Sequence, residues 1–134
     1  MLGNLIGEFK GKVSGYRVPE LTMTGPKMEI TFQQKGKLLG VEAMDVATYW
    51  SVMSSPKTLY GEGSGAVKNA DGSELAMYRG SGTAMMGKGM PGWRGVLYFN
   101  SPTPKWGVLN GIAVVYEYEL DANENTHVKL WEWK

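Results

Sequence analysis

The chain has 134 residues, a formal net charge of +1 and 43% hydrophobic residues, enough for one packed domain and too little for two, without the field that draws a polyanion. It holds no cysteine, which excludes disulfide scaffolds, thiolate metal sites and cysteine nucleophiles. No apolar run approaches the ~20 residues that span a bilayer, and the start lacks the basic-then-apolar pattern of a secretory leader, so the expectation is a cytoplasmic protein with no membrane or nucleic-acid partner.

In chain order, period-two alternation replaces any amphipathic helix. In "LIGEFKGKVSG" the positions Leu5, Gly7, Phe9, Gly11 and Val13 alternate with Glu8, Lys10 and Lys12, a half-buried strand whose inner face mixes bulky and absent side chains. Residues 18–26, "VPELTMTGP", read as a connection. "KMEITFQQKGKLLGVEAMDV" reads as a hairpin turning at Lys35-Gly36, with Phe32 opposite Leu39 and Ile30 opposite Val41. One face then carries Met28, Ile30, Phe32, Leu39, Val41, Ala43, Asp45, Ala47 and Tyr49.

The next hairpin turns at "NADGS", with Ala70-Asp71-Gly72 as a three-residue loop and glycine in the left-handed position. That register sets Val67 against Leu75, Gly65 against Met77 and Gly63 against Arg79, with this set facing inward and Tyr78 outward. "WRGVLYFN" is a further strand and "SPTPKWG" a proline-bearing loop. "VLNGIAVVYEYEL" and "HVKLWEWK" form a closing hairpin around "DANENT", with Glu119 against Lys129 and Leu120 against Val128.

About eight strands joined as successive hairpins must dispose of their sheet edges, and closure does so. The predicted fold is all-β: a single antiparallel, up-and-down barrel over residues 1–134, with a two-sheet sandwich as the alternative that uses the same alternation. The 19 glycines, about twice the usual share, suit coiled strands and leave interior volume.

Several motifs carry less than they suggest. "GTAMMGKG", residues 82–89, nearly matches a phosphate-binding loop, but Gly89 replaces the magnesium-binding serine or threonine and "MPGW" follows where a helix is required. His127, the one histidine, lies beside a polar turn and has no ligand spacing or triad around it. No metal or cofactor is expected. Trp131 and Trp133 fall on the face opposite Val128 and Leu130, hence outside, where an apolar patch predicts a homo-oligomer contact.

The sharper lead is Arg79 together with Asp45, both on predicted inner faces. A buried guanidinium needs a carboxylate or a bound anion. Asp45 is the first candidate partner, Glu117 or Glu132 the second. Tyr49 and Met77 are neighbours, and Arg94 is a further candidate whose direction its strand leaves open. A structural ion pair without function is the plain reading; the functional one is a polar spot in an otherwise apolar cavity.

The glycine-dotted strands, "YGEGSGAV", "YRGSG", "WRGVLYF" and the "LWEWK" end, resemble small bacterial barrel proteins without an assigned activity and are similar in pattern to allene oxide cyclase-like and lipocalin-like barrels. The resemblance implies a central cavity; it carries no catalytic residue and no substrate. The expected function is therefore the binding of a small, largely apolar or amphipathic molecule. The alternatives are a cyclase- or isomerase-type enzyme working in the same cavity, and an interaction protein with a filled interior.

Overall fold

A computed structural model describes residues 1–87 and 92–134. Eight strands, β1 (Leu2–Thr22), β2 (Gly25–Leu38), β3 (Val41–Ser55), β4 (Thr58–Asn69), β5 (Leu75–Met85), β6 (Gly92–Asn100), β7 (Ala113–Leu120) and β8 (Asn125–Trp133), pair antiparallel with their chain neighbours. β1 also pairs with β8, so the sheet closes into a barrel and not into two stacked sheets. Closure leaves no unpaired edge within the cylinder, and eight strands enclose a lumen that side chains can nearly fill. No helix among the described residues is long and apolar enough to cross a membrane.

The turns decide which side chains enter that lumen, because slipping a pairing by one residue exchanges its two faces. The β2–β3 turn is Leu39-Gly40, with φ of 51° and 78°, and not Lys35-Gly36. Two consecutive left-handed residues are what the favoured two-residue hairpin turn demands. Gly36 instead continues β2 on its inner face, packed so closely on the β1 backbone at Glu8 and Phe9 that a Cβ would not fit. Phe32 therefore faces Ala47 and Gln34 faces Asp45. This slip is an even number of residues, so the inner face keeps its predicted members, Asp45 and Tyr49 among them. The β7–β8 hairpin behaves alike: Glu117, not Glu119, faces Lys129, and Val128 and Leu130 still point inward.

The β4–β5 hairpin differs by one residue, and there the expectation fails. Val67 faces Ala76, Gly65 faces Tyr78 and Ser64 faces Arg79. The cause lies in the turn's own side chains. Asn69 Oδ1 accepts from the Glu74 amide and Asp71 Oδ1 from the Ser73 amide, at 3.0 and 2.9 Å. These bonds admit Ser73 as a fourth loop residue, while Gly72 keeps the left-handed φ of 75°. Such side-chain mimicry of backbone turns is the speciality of Asn and Asp. Tyr78 thus enters the lumen, and Arg79 and Met77 stand outside.

Residues 18–26 are not a loose connection. β1 runs on to Thr22, with Pro19 inside a register shift between Arg17 and Glu20, where a residue without an amide hydrogen breaks no ladder bond. β1 beyond Lys12 pairs only with β2, which itself stays paired with β3 from Met28 onward.

The end of the barrel carrying the Leu39-Gly40 and 70–73 turns is stoppered. After β6 the chain makes one 3-10 turn, Trp106–Leu109, which drops Trp106 and Leu109 into the core, fully buried against Leu38, Val67 and Val114. The Trp106 indole donates to the Leu38 carbonyl at 3.1 Å. Buried Glu74 holds the plug from below, one carboxylate oxygen accepting from the Thr103 hydroxyl and the amides of Lys105 and Trp106 at 2.8, 3.1 and 2.9 Å.

Candidate functional site

A line of four hydrogen-bonded side chains crosses the inner wall. The Thr126 hydroxyl on β8 donates to Gln34 Oε1 on β2 at 2.8 Å. Gln34 Nε2 donates to Asp45 Oδ2 on β3 at 2.9 Å. The Tyr78 hydroxyl on β5 donates to both Asp45 oxygens, at 2.9 and 3.1 Å. Two of these bonds skip a strand, and glycine makes each skip possible. Gly11 of β1 lies between Thr126 and Gln34, in register with both. Gly65 of β4 lies beneath the Tyr78 ring, which occupies the space its Cβ would need.

Asp45 is 4% exposed. Among the described residues no cation is paired with it. Desolvation raises its pKa to about 6, and the bonds from Gln34 and Tyr78 only partly offset that cost. Burial, and then the Asp45 charge beside it, holds the Tyr78 phenol well above its ordinary 10. The pair therefore keeps a tyrosine that donates at any physiological pH and a carboxyl group that changes state near neutrality.

Above this line lies a cavity of about 80 Å³. It is small against the ~300–1,000 Å³ of sites that take drug-sized ligands. Its wall is aromatic. Phe32 and Tyr118 stack at 5.2 Å, and Tyr49 meets Phe32, Trp93 and Tyr118 edge-on at 6.0, 5.8 and 5.7 Å. Phe9, Phe99 and Tyr116 complete it. Burial pushes Tyr49 and Tyr116 up to about 12 and Tyr118 higher still, so these hydroxyls stay protonated. The interior glycines do not leave an empty lumen. Trp93 packs over Gly61, Tyr78 over Gly65, and the Tyr116 hydroxyl over Gly82 and Gly95.

Of the residues singled out from sequence, the structure brings Asp45 and Tyr49 to this cavity. The inward Arg79 is overturned: its side chain is exposed on the outer face of β5, as is Met77, because of the one-residue slip. Arg94 and Glu117 also lie outside, facing each other across β6 and β7 at 3.7 Å, so Glu117 is no partner for an internal group. Glu132 keeps the inward register of β8 but sits at its end, paired with Lys134 at 3.4 Å and not with Asp45. Trp131 and Trp133 are on the outer face, Trp133 exposed and Trp131 half-buried. His127 also faces outward and bonds Glu8 on β1 at 2.5 Å. The "GTAMMGKG" segment ends at Lys88 and Gly89, outside the described residues; its Gly82 and Ala84 belong to the inner face of β5. No three His, Cys, Asp or Glu side chains converge as a metal site among the described residues.

Sequence reasoning missed Gln34, Tyr78 and Thr126. Gln34 carried a legible signal, since it shares the parity of Ile30 and Phe32 and is the polar exception on that face. Tyr78 was hidden by the turn, and Thr126 by its place in "DANENT".

The sequence matches no family model and no curated protein. Solved structures share the fold. A conserved protein of unknown function from Rhodopseudomonas palustris superposes with a TM-score of 0.81 at 13% identity, covering 98% of this chain and 97% of that one. A protein of unknown function from Clostridium acetobutylicum gives 0.83 at 12% identity, covering 98% of each chain. A β-barrel-like protein from Acinetobacter baumannii gives 0.79 at 12% identity, covering 100% of this chain and 96% of that one. At such identities the likeness speaks for the barrel alone.

Proposed function

We propose that this barrel binds one compact, mostly apolar molecule whose polar group meets Asp45. The observation that carries the reading is a carboxylate 4% exposed, without a cationic partner among the described residues, on the wall of a ring-lined cavity. A purely structural interior would more cheaply hold an apolar residue there, since a buried acid costs several kcal/mol unless something compensates it. With Arg79 outside, the ligand's polar end is a hydrogen-bond donor rather than an anion. The cavity volume restricts the ligand to a few non-hydrogen atoms, well short of a lipid or a polyene.

The test is an NMR screen of molecules of three to six non-hydrogen atoms, read at the Trp93 indole and the inner tyrosine rings. Saturable shifts that disappear in Ala47→Leu, which fills the lumen from β3, are expected. Absence of any saturable shift across the set would refute binding.

A second reading, isomerase- or cyclase-type chemistry, is favoured by the Tyr78–Asp45 contact, which sets a proton donor against an acceptor within the same cavity. Its signature would be deuterium exchange into the methyl groups of acetone, faster with the native protein than with Asp45→Asn. Equal rates would leave binding as the sole reading.

A further inference from the structure

Resting on the binding reading above, we infer that the ligand class is a small organic ammonium ion, its N–H directed at Asp45 and its alkyl groups against the rings of Tyr49, Trp93 and Tyr118.

Three independent features point to this class. The first is charge. Among the described residues no lysine, arginine or histidine lines the cavity, and the one buried charged side chain there is an acid. An anionic ligand would face that acid without any counter-charge, whereas a cation completes a pair which the protein itself leaves open. The second is hydrogen bonding. Asp45 already accepts from Gln34 and from Tyr78. Neutral donors are thus supplied by the fold, and what the site lacks is positive charge. The third is the wall. Ring faces carry a negative quadrupole, and a cation enclosed by aromatic side chains gains from several faces at once. Tyr49 stands edge-on to both Trp93 and Tyr118, so the rings turn their faces in different directions instead of stacking into a slab. The rings cannot supply a competing negative charge, since burial keeps their hydroxyls protonated.

The distinction from a neutral ligand is testable with two probes of equal size, trimethylammonium and isopropanol, each having four non-hydrogen atoms and one polar hydrogen. Four atoms limit either affinity to about tens of micromolar at best, so NMR titration is the suitable readout, at pH 8 and with matched chloride. Trimethylammonium is expected to bind about tenfold tighter or better than isopropanol, and Asp45→Asn to bring the two within about twofold of each other. Isopropanol binding equally well to the native protein, or a cation preference that survives in Asp45→Asn, would overturn the ammonium assignment and leave the binding reading standing. Failure of both probes, together with an empty screen, would remove the two readings together. The comparison on the native protein requires no variant to fold; circular dichroism of Asp45→Asn checks the second arm.

Discussion

Replacing Asp45 with asparagine should stabilise the ligand-free protein at neutral pH and leave it nearly unchanged in acid. The native carboxyl titrates at about 6 instead of 3.8 because burial penalises its charged form. A carboxyl group raised by folding contributes stability that is complete below its unfolded value and is lost as pH rises through the folded one. The loss accumulates between about pH 4 and pH 6 and is complete by about pH 7. Each pH unit between the two values is worth about 1.36 kcal/mol, so the ionised protein forfeits about 3 kcal/mol relative to its protonated state. Asparagine avoids that penalty and can keep the network, with its oxygen accepting from Gln34 and its amide donating to the Tyr78 oxygen. Tyr78, the titratable neighbour bonded to Asp45, stays protonated throughout this range and adds no slope of its own. The assay is urea unfolding of both proteins from pH 4 to 8. The advantage of Asp45→Asn should grow from near zero to about 3 kcal/mol across that window. A pH-independent difference, or an asparagine variant less stable at pH 8, would show that Asp45 is solvated or already paired with a cation.

Other substitutions test neighbouring steps. Tyr78→Phe removes a donor from Asp45 and should cost about 2 kcal/mol at pH 8, where the acceptor is charged, and about 1 kcal/mol at pH 4; equal losses in urea melts at both pH values would separate the phenol from the acid. Gly65→Ala places a methyl group where the Tyr78 ring lies and should cost about 1–3 kcal/mol, a loss that a double-mutant cycle should show relieved in a Tyr78→Ala background. Trp106→Ala unplugs the closed end and should lower stability by about 3–5 kcal/mol in the same melts. Arg79→Met should change stability by less than about 0.5 kcal/mol and leave trimethylammonium binding intact by NMR; a marked loss of either would return the guanidinium to the site.

The strand alternation of Phe9, Phe32 and Val128 made the barrel legible, because alternation with hairpin turns leaves few closed arrangements. Asp45 and Tyr49 were legible for a subtler reason. The true turn at Leu39-Gly40 is also a two-residue turn, and its place four residues beyond Lys35-Gly36 slides the register by eight, an even number that preserves parity. In the β4–β5 turn the displacement was one residue. Nothing in backbone turn preference alone distinguishes a three-residue "ADG" loop from a four-residue "ADGS" loop. The decision came from the side chains of Asn69 and Asp71, which substitute for ladder bonds. That single residue exchanged Arg79 for Tyr78 and reversed the charge expected inside. The plug at Trp106 was illegible for another reason, since its 3-10 turn is held by Glu74, a residue distant in sequence, rather than by its own periodicity.

The glycines that first suggested an open lumen have the opposite effect on volume and a specific effect on chemistry. A barrel wall of ordinary residues lets side chains on adjacent strands touch but separates those two strands apart by the side chain between them. Placing glycine at Gly11 and Gly65 removes that barrier at two points, and the polar groups of β8, β2, β3 and β5 become one chain of bonds. Burial within the lumen then desolvates its acid. An acid in contact with bulk water would titrate near 3.8 and hold no preference for a buried cation. One that accepts from two neutral donors and is buried among aromatic rings titrates at about 6. Opening the chamber should therefore abolish the site even with all four polar residues in place, and Trp93→Ala is the variant in which the Asp45 titration should fall back towards 4 in a carboxyl-resolved NMR experiment.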